Sequence, residues 1–368
     1  MSFLSEALRL GQTPLHLETV SGDDVRRVVG LPRVDASGFA ALLSPAASEH
    51  LETMATRAHA LTLSHFGRTV SLFTPLYVSN HCANHCRYCG FAAPNSIPRS
   101  QLSLDEVRAE GEAIAATGLK QLLLLTGEAP RKAGVAYLEA CVQVLRPLFP
   151  SISVEVYPME TADYARLTRA GVDGLTVFQE TYDPVLYAEL HPAGPKRDYA
   201  FRLNTPQRGA ETGMRVVNIG ALLGLTDWRQ EIYAVGLHAA WLQKRYPGVD
   251  IAVSLPRMRP HAGAFQPACI VSDRELVQAM TALRIFLPRL SITISTREAP
   301  SFRDNILPLG VTRMSAGVST AVGGHAKPSK TEQFEISDPR SVAEIEAMLR
   351  ARGYQAVFKD WEPIEASA

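Results

Sequence analysis

A (β/α)8 barrel of the TIM type, with a helical extension before it and a further segment after it, is the α/β fold that this sequence of 368 residues predicts. Three observations predict it. From Ser71 onward, short apolar runs alternate with amphipathic stretches, the pattern of βα units and a parallel sheet. Eight such runs occur, the number that a closed barrel of this kind needs. Polar residues gather directly after those runs, where the loops of a barrel carry its chemistry.

Residues 1–68 have helical spacing and turn signals at Gly22-Asp23-Asp24 and Leu31-Pro32, which predicts an N-terminal helical extension. The barrel is expected over 69–319. Its predicted strands are Leu72–Ser79, Gln121–Thr126, Ser153–Pro158, Gly174–Gln179, Arg215–Ala221, Ile251–Pro256, Ser291–Thr296 and Val311–Ser315. Ser103 and Ser272 precede amphipathic stretches as N-caps, and Trp228 to Tyr246 forms a third such stretch. Residues 320–368 hold Gly323-Gly324, a helix around Val342–Arg352, and Trp361 as a docking contact. They are expected to pack on the barrel.

Charges balance at 37 basic and 37 acidic residues, so no net field favours nucleic acid or an anionic membrane. No apolar stretch is long enough to span a bilayer, and the first residues lack the features of a signal peptide. With few cysteines, the chain is expected in the reducing cytoplasm.

Cys82, Cys86 and Cys89 fall within eight residues, spaced C-x3-C-x2-C. Three thiolates this close can hold three irons of a four-iron cube, whose usual complement is four cysteines. The fourth iron is then open to a small molecule. A Cys3His zinc site using His81 or His85 is the alternative. Cys141 and Cys269 stand alone, without the second ligand pair that zinc sites usually show. A disulfide framework suits short secreted chains, which this is not.

With Tyr88 just before the third cysteine, the run resembles the signature of radical S-adenosylmethionine (SAM) enzymes. That resemblance implies one [4Fe–4S] cluster on Cys82, Cys86 and Cys89, with SAM at the open iron and Tyr88 beside its adenine. Thr126-Gly127-Glu128 is similar to the Gly-Gly-Glu element that accepts hydrogen bonds from the methionyl ammonium. Longer runs narrow the match: Leu76-Tyr77-Val78-Ser79-Asn80, Leu124 to Glu128, Val177-Phe178-Gln179-Glu180-Thr181-Tyr182, Ser295 to Pro300 with Phe302-Arg303-Asp304, and Phe358-Lys359-Asp360-Trp361. Spread over roughly residues 70 to 361, they resemble the tyrosine lyase (2-iminoacetate synthase, ThiH) family.

This resemblance implies cleavage of the Cα–Cβ bond of L-tyrosine to 2-iminoacetate and p-cresol, for the thiazole moiety of thiamine. 5′-Deoxyadenosine and methionine are the co-products. It places Tyr77 and Ser315 beside the substrate, and Glu155, Gln179 and Glu180 toward SAM. Arg297 is the candidate for the substrate carboxylate, since a guanidinium fork matches a carboxylate bidentately. The alternative for Arg297 is an ion pair with Glu298 or Asp304. Implied partners are thiazole synthase and an electron donor such as flavodoxin or ferredoxin.

Two departures stand out. His325 replaces an expected Tyr after Gly323-Gly324, and the run Arg259 to Phe265 lacks an expected cysteine. A lyase for another aromatic amino acid such as tryptophan is the nearest alternative, and a zinc-stabilised scaffold is the alternative from another class. The di-iron hydrogenase maturase needs cysteines for a second cluster, and no cysteine follows Cys269. A sulfur-inserting enzyme of the biotin-synthase type would also need more cysteines.

Overall fold

The computed structural model describes residues 2–261, 264–327 and 332–361. Four helices come first: Leu4–Gln12 (α1), Gly22–Val29 (α2), Ala36–Leu42 (α3) and Leu51–Phe66 (α4). Local chemistry sets their starts. The Ser21 hydroxyl accepts from the Asp24 N–H while the Asp24 carboxylate accepts from the Ser21 N–H, so two orphan donors of the first turn are satisfied reciprocally. Asp35 caps α3 through the Gly38 N–H.

The barrel follows as Thr69–Ser79 (β1), Leu104–Ala115 (α5), Gln121–Thr126 (β2), Val135–Leu145 (α6), Ser151–Glu155 (β3), Thr161–Ala170 (α7) and Gly174–Glu180 (β4). Three short helices, Pro184–Leu190 (α8), Tyr199–Leu203 (α9) and Thr205–Glu211 (α10), precede Val216–Ala221 (β5). Then come Trp228–Arg245 (α11), Asp250–Ser254 (β6), Asp273–Phe286 (α12), Ser291–Ile294 (β7), Pro300–Ile306 (α13) and Arg313–Ser315 (β8). Each strand pairs in parallel with the next, and β1 pairs with both β2 and β8, so the sheet closes. All eight predicted strands are present. Ser103 and Ser272 each make the reciprocal cap that their sequence context suggested, with Glu106 and Glu275.

The extension is no separate body. A continuous buried cluster runs from Phe3 and Phe39 through the strands to Leu349 and Tyr354. Phe39 stacks on Phe286 of α12 at 4.4 Å between ring centres. Such an aromatic pair adds about 1 kcal/mol beyond its buried area.

The C-terminal segment holds Val342–Ala351 (α14) and a ninth strand, Gln355–Val357 (β9), which sequence reading left as tail. β9 pairs with Thr69–Ser71 at the foot of β1, while β2 begins its pairing at Thr74. Arg215 pairs with Asp360 and lies over the Trp361 ring, so Trp361 does dock. Between β8 and α14 the chain is tied down by a fully buried ion pair. Arg303 of α13 binds Asp338, and Arg303 also donates to the carbonyl of Ser315 at 2.5 Å. Both side chains are wholly shielded from solvent.

Breaking a buried pair by removing one partner leaves an uncompensated charge. Asp338→Ala is therefore expected to lower unfolding free energy by about 4 kcal/mol in urea denaturation. A loss no larger than that of a surface ion pair, under about 1 kcal/mol, would show that the tail is not held this way.

Candidate active site

β1 runs straight into the cysteine loop, and side-chain hydrogen bonds fix how the loop folds. Asn80 donates to the carbonyl of Pro98 at 2.9 Å and accepts from the Ser100 N–H at 2.7 Å. Arg99 donates to the carbonyls of Asn80, Phe91, Ala92 and Asn95, clamping both sides of the loop. Asn84 accepts from the Lys196 N–H at 2.8 Å and donates to Glu128 at 2.7 Å. At the end of β2, the Gly127 N–H donates to the carbonyl of Ser79 at 2.8 Å. A Cβ at Gly127 would overlap the His81 carbonyl oxygen, so only glycine lets the two loops approach this closely.

These loops rim a cavity of about 240 Å³ at the C-terminal ends of the strands. Cys82, Cys86 and Cys89 all line it, and all are free thiols. Burial is the first influence on each and pushes it up, and their charges also act on one another. Tyr88 packs with Cys86 in a small apolar cluster. Its hydroxyl lies 2.7 Å from His191 Nε2, and His191 Nδ1 lies 2.7 Å from the carbonyl of Tyr187. The carbonyl requires Nδ1 to carry the proton, so Nε2 accepts from the Tyr88 O–H. Burial, then Lys196, pushes His191 down to about 3.

Behind the loop sits a network of four charges. Lys196 binds Glu180 at 2.7 Å, and Arg202 binds Glu128 at 2.7 Å. Lys196, Arg202 and Glu180 are buried and Glu128 nearly so. Burial opposes ionisation of both carboxylates. The cations outweigh it, Arg202 first for Glu128 and Lys196 first for Glu180, and hold both below the usual range. Glu180 closes β4 with φ at 73°, the one positive φ of a non-glycine among the described residues. A strained backbone at a cavity rim is held only where its surroundings over-determine it.

On the same cavity, Arg297 follows β7. Its guanidinium lies 3.5 Å from the Phe334 ring centre and donates to the carbonyl of Arg257 at 3.4 Å. Neither carboxylate expected as its alternative partner is available. Glu298 takes Arg257 at 3.1 Å, and Asp304 takes Arg340 at 2.8 Å. No ion pair to Arg297 occurs among the described residues. Ser315 Oγ accepts from the Thr296 N–H at 3.2 Å, which leaves its own proton free to donate. The Tyr77 hydroxyl donates to Gln333 at 2.8 Å. Glu155 also faces the cavity, and burial, then the Glu180 charge, pushes it up to about 7.

The chain matches two family models, the radical SAM superfamily over residues 76–235 and the biotin and thiamin synthesis associated domain over residues 254–355. It is 42% identical to 2-iminoacetate synthase of Escherichia coli K12, over 95% of this chain and 93% of that protein. The same-named protein of Salmonella typhimurium LT2 is 40% identical over the same shares. The chain belongs to the 2-iminoacetate synthase family of radical SAM enzymes. A solved structure of the FeFe-hydrogenase maturase HydG from Carboxydothermus hydrogenoformans superposes with a TM-score of 0.90 at 31% identity, covering 98% of this chain and 86% of that one.

Family membership implies a four-iron cluster and SAM, and the donor set fits them. Among the described residues, no three His, Cys, Asp or Glu side chains converge on one ion position, as a mononuclear zinc would require. A cube takes one thiolate per iron, so its ligands stand apart around one cavity. Thr126 Oγ1 is buried on the cavity wall without a protein partner, an acceptor and donor left for a ligand.

Of the expected site residues, Tyr77, Tyr88, Thr126, Gly127, Glu128, Glu155, Glu180, Arg297, Ser315 and the three cysteines meet at this cavity. Gln179 does not. Side chains alternate across a strand, so Glu180 faces inward and Gln179 outward, toward Arg202, Leu203 and His238. Expecting both to reach SAM was an error of strand parity. His325 also lies off the cavity, bonded to the carbonyl of Pro75 at 3.0 Å. In the run Arg259 to Phe265, Ala262 and Gly263 lie outside the described residues. Sequence reading missed Asn84, Arg99, His191, Lys196, Arg202, Gln333 and Phe334.

Gly127→Ala is expected to leave the far-ultraviolet spectrum native while cutting reconstituted iron content severely, since the new methyl displaces the loop that carries Cys82. Full iron loading would show that the close approach is dispensable. Glu155 gives a pH test. Its folded value of about 7 lies above its ordinary 4.5, so the folded state binds the proton more tightly. That contribution is complete below the unfolded value and is lost as pH rises to about 7. The stability of the parent relative to Glu155→Gln should fall by about 3 kcal/mol over this window in urea titrations. A flat difference would mean that Glu155 is solvated like a surface carboxylate.

Proposed function

We propose that this chain cleaves the Cα–Cβ bond of L-tyrosine to 2-iminoacetate and p-cresol, with 5′-deoxyadenosine and methionine as co-products. The observation that carries the reading is Arg297, a half-buried guanidinium with no ion-paired carboxylate among the described residues, facing the cavity that the three free thiols line. Burial lowers its pKa, so an anionic ligand group would offset the cost of the charge. An amino-acid carboxylate supplies such a group and can be gripped by both arms of the fork.

Cys82, Cys86 and Cys89 would hold one [4Fe–4S] cluster. Bound together, cluster and SAM supply reductive, hydrogen-abstracting chemistry, which the cofactors carry and the protein directs. The chain's own part is placement. Tyr88, locked by His191, offers a face to the adenine. Thr126, Gly127, Glu128, Glu155 and Glu180 form the polar rim for the rest of SAM. Glu128 and Glu180 are themselves aimed by Arg202 and Lys196. Arg297 and the free hydroxyl proton of Ser315 fix the substrate carboxylate, and Tyr77 presents oxygen lone pairs toward its amine. The barrel wall excludes water and other quenchers.

One-electron chemistry needs a donor, for which flavodoxin or ferredoxin is suited. 2-Iminoacetate hydrolyses readily, which favours direct transfer to thiazole synthase for the thiazole of thiamine. Both steps suit a reducing cytoplasm.

Reduced protein supplied with SAM and single aromatic amino acids is expected to release p-cresol and 5′-deoxyadenosine with tyrosine alone. Cleavage of tryptophan in preference would overturn the substrate assignment. Arg297→Lys is expected to lower kcat/KM for tyrosine about 100-fold while SAM affinity stays within about twofold. Equal losses for both would remove Arg297 from the substrate carboxylate.

A further inference from the structure

The C-terminal segment reaches the cavity at a point that neither the cysteine signature nor the substrate motifs include. Gln333 accepts from the Tyr77 hydroxyl through Oε1 at 2.8 Å, and its Nε2 donates to Cys89 Sγ at 3.8 Å. The orientation of the amide follows from its two ends. A cluster-bound thiolate sulfur can only accept, so it meets the amide nitrogen, and the hydroxyl then donates to the amide oxygen.

The backbone around Gln333 is pinned on both sides. Its N–H donates to the carbonyl of Thr320 at 3.1 Å, and the Thr320 hydroxyl donates to the carbonyl of Phe334 at 3.0 Å. Upstream, Val322 bridges to Tyr77 and the Gly323 N–H donates to the Tyr77 carbonyl at 2.9 Å. Downstream, the Ser337 and Asp338 N–H groups donate to the carbonyl of Thr296. The backbone at Gln333 is therefore held where its side chain reaches the sulfur.

We propose that Gln333 is a positioning residue that tunes the cluster through the sulfur of Cys89 and, with the same amide, aims the hydroxyl of Tyr77. This rests on Cys89 being a cluster ligand. Hydrogen bonds to ligand sulfurs help set the potential of an iron–sulfur cluster. An N–H donor favours the reduced cluster, which carries one more negative charge. Removing the donor makes reduction harder. Because the Tyr77 proton is committed to Gln333, the lone pairs of that hydroxyl are left to accept from a substrate amine.

The test uses the full chain, reconstituted without oxygen and titrated with dithionite and redox mediators while the reduced cluster is read by electron paramagnetic resonance. Iron and sulfide content are measured first. Gln333→Leu is expected to keep a full cluster and to lower the reduced-to-oxidised ratio at a fixed poise about fivefold, the scale of one ordinary net hydrogen bond. Gln333→Glu keeps the shape and the acceptor for Tyr77 but replaces the donor with a negative charge, so it should lower the ratio further. Thr320→Val, which removes the hydroxyl bond to the Phe334 carbonyl without touching sulfur, should leave the ratio unchanged. Should Gln333→Leu fail to fold, the isosteric Gln333→Glu decides alone. Full clusters that titrate as the parent does in both Gln333 variants overturn the proposal, as does an equal shift in Thr320→Val. Cys89→Ser retaining a full cluster instead overturns the ligand assignment beneath it.

Discussion

Two carboxylates and two cations, set into the barrel rim with little access to water, are the interaction on which the site depends. Glu128 follows β2 and Glu180 ends β4, with β3 between them, while Lys196 and Arg202 come from the stretch of short helices before β5. Any one of them left alone would be a buried charge, whose cost is several kcal/mol. The four therefore hold together or not at all. Asn84 carries that rigidity into the cysteine loop, because its amide bridges the Glu128 carboxylate and the Lys196 backbone. The loop has little regular structure of its own and borrows its shape from this network and from Arg99.

The two ends of the barrel use polar residues differently. At the strand starts, Asp173 is shared by Arg215 and Ser151, and Gln121 Oε1 accepts from Arg313, so most polar groups there are held by one another. At the strand ends, Thr126 Oγ1 is buried on the cavity wall without a protein partner, and Arg297 faces the cavity without an ion pair among the described residues. That asymmetry separates groups that stabilise the fold from groups kept for a ligand.

Much of this was legible in the sequence for identifiable reasons. The cysteine spacing is local, and apolar runs separated by capped helices reveal strands whatever their partners. The motif runs then pointed to Tyr77, Arg297 and Ser315. What stayed hidden depends on distance along the chain. Lys196 and Arg202 sit among solvated-looking charges, and nothing local shows that they turn inward. Gln333 meets Cys89 across 244 residues. Three-residue β9 is too short to show an alternation. Gln179 was misread because a motif marks neighbours alike, whereas a strand sends them to opposite faces. That Glu298 pairs with Arg257 rather than with its neighbour Arg297 shows only in the fold.

The Tyr88–His191 contact has a consequence for the cell's changing acidity. Imidazoles are ordinarily the side chains that respond between pH 5 and 8. This one is held neutral until about pH 3, with one nitrogen spent on a carbonyl and the other on a phenol. The aromatic ring beside the third cysteine is thereby insulated from metabolic acidification and keeps one posture throughout the physiological span.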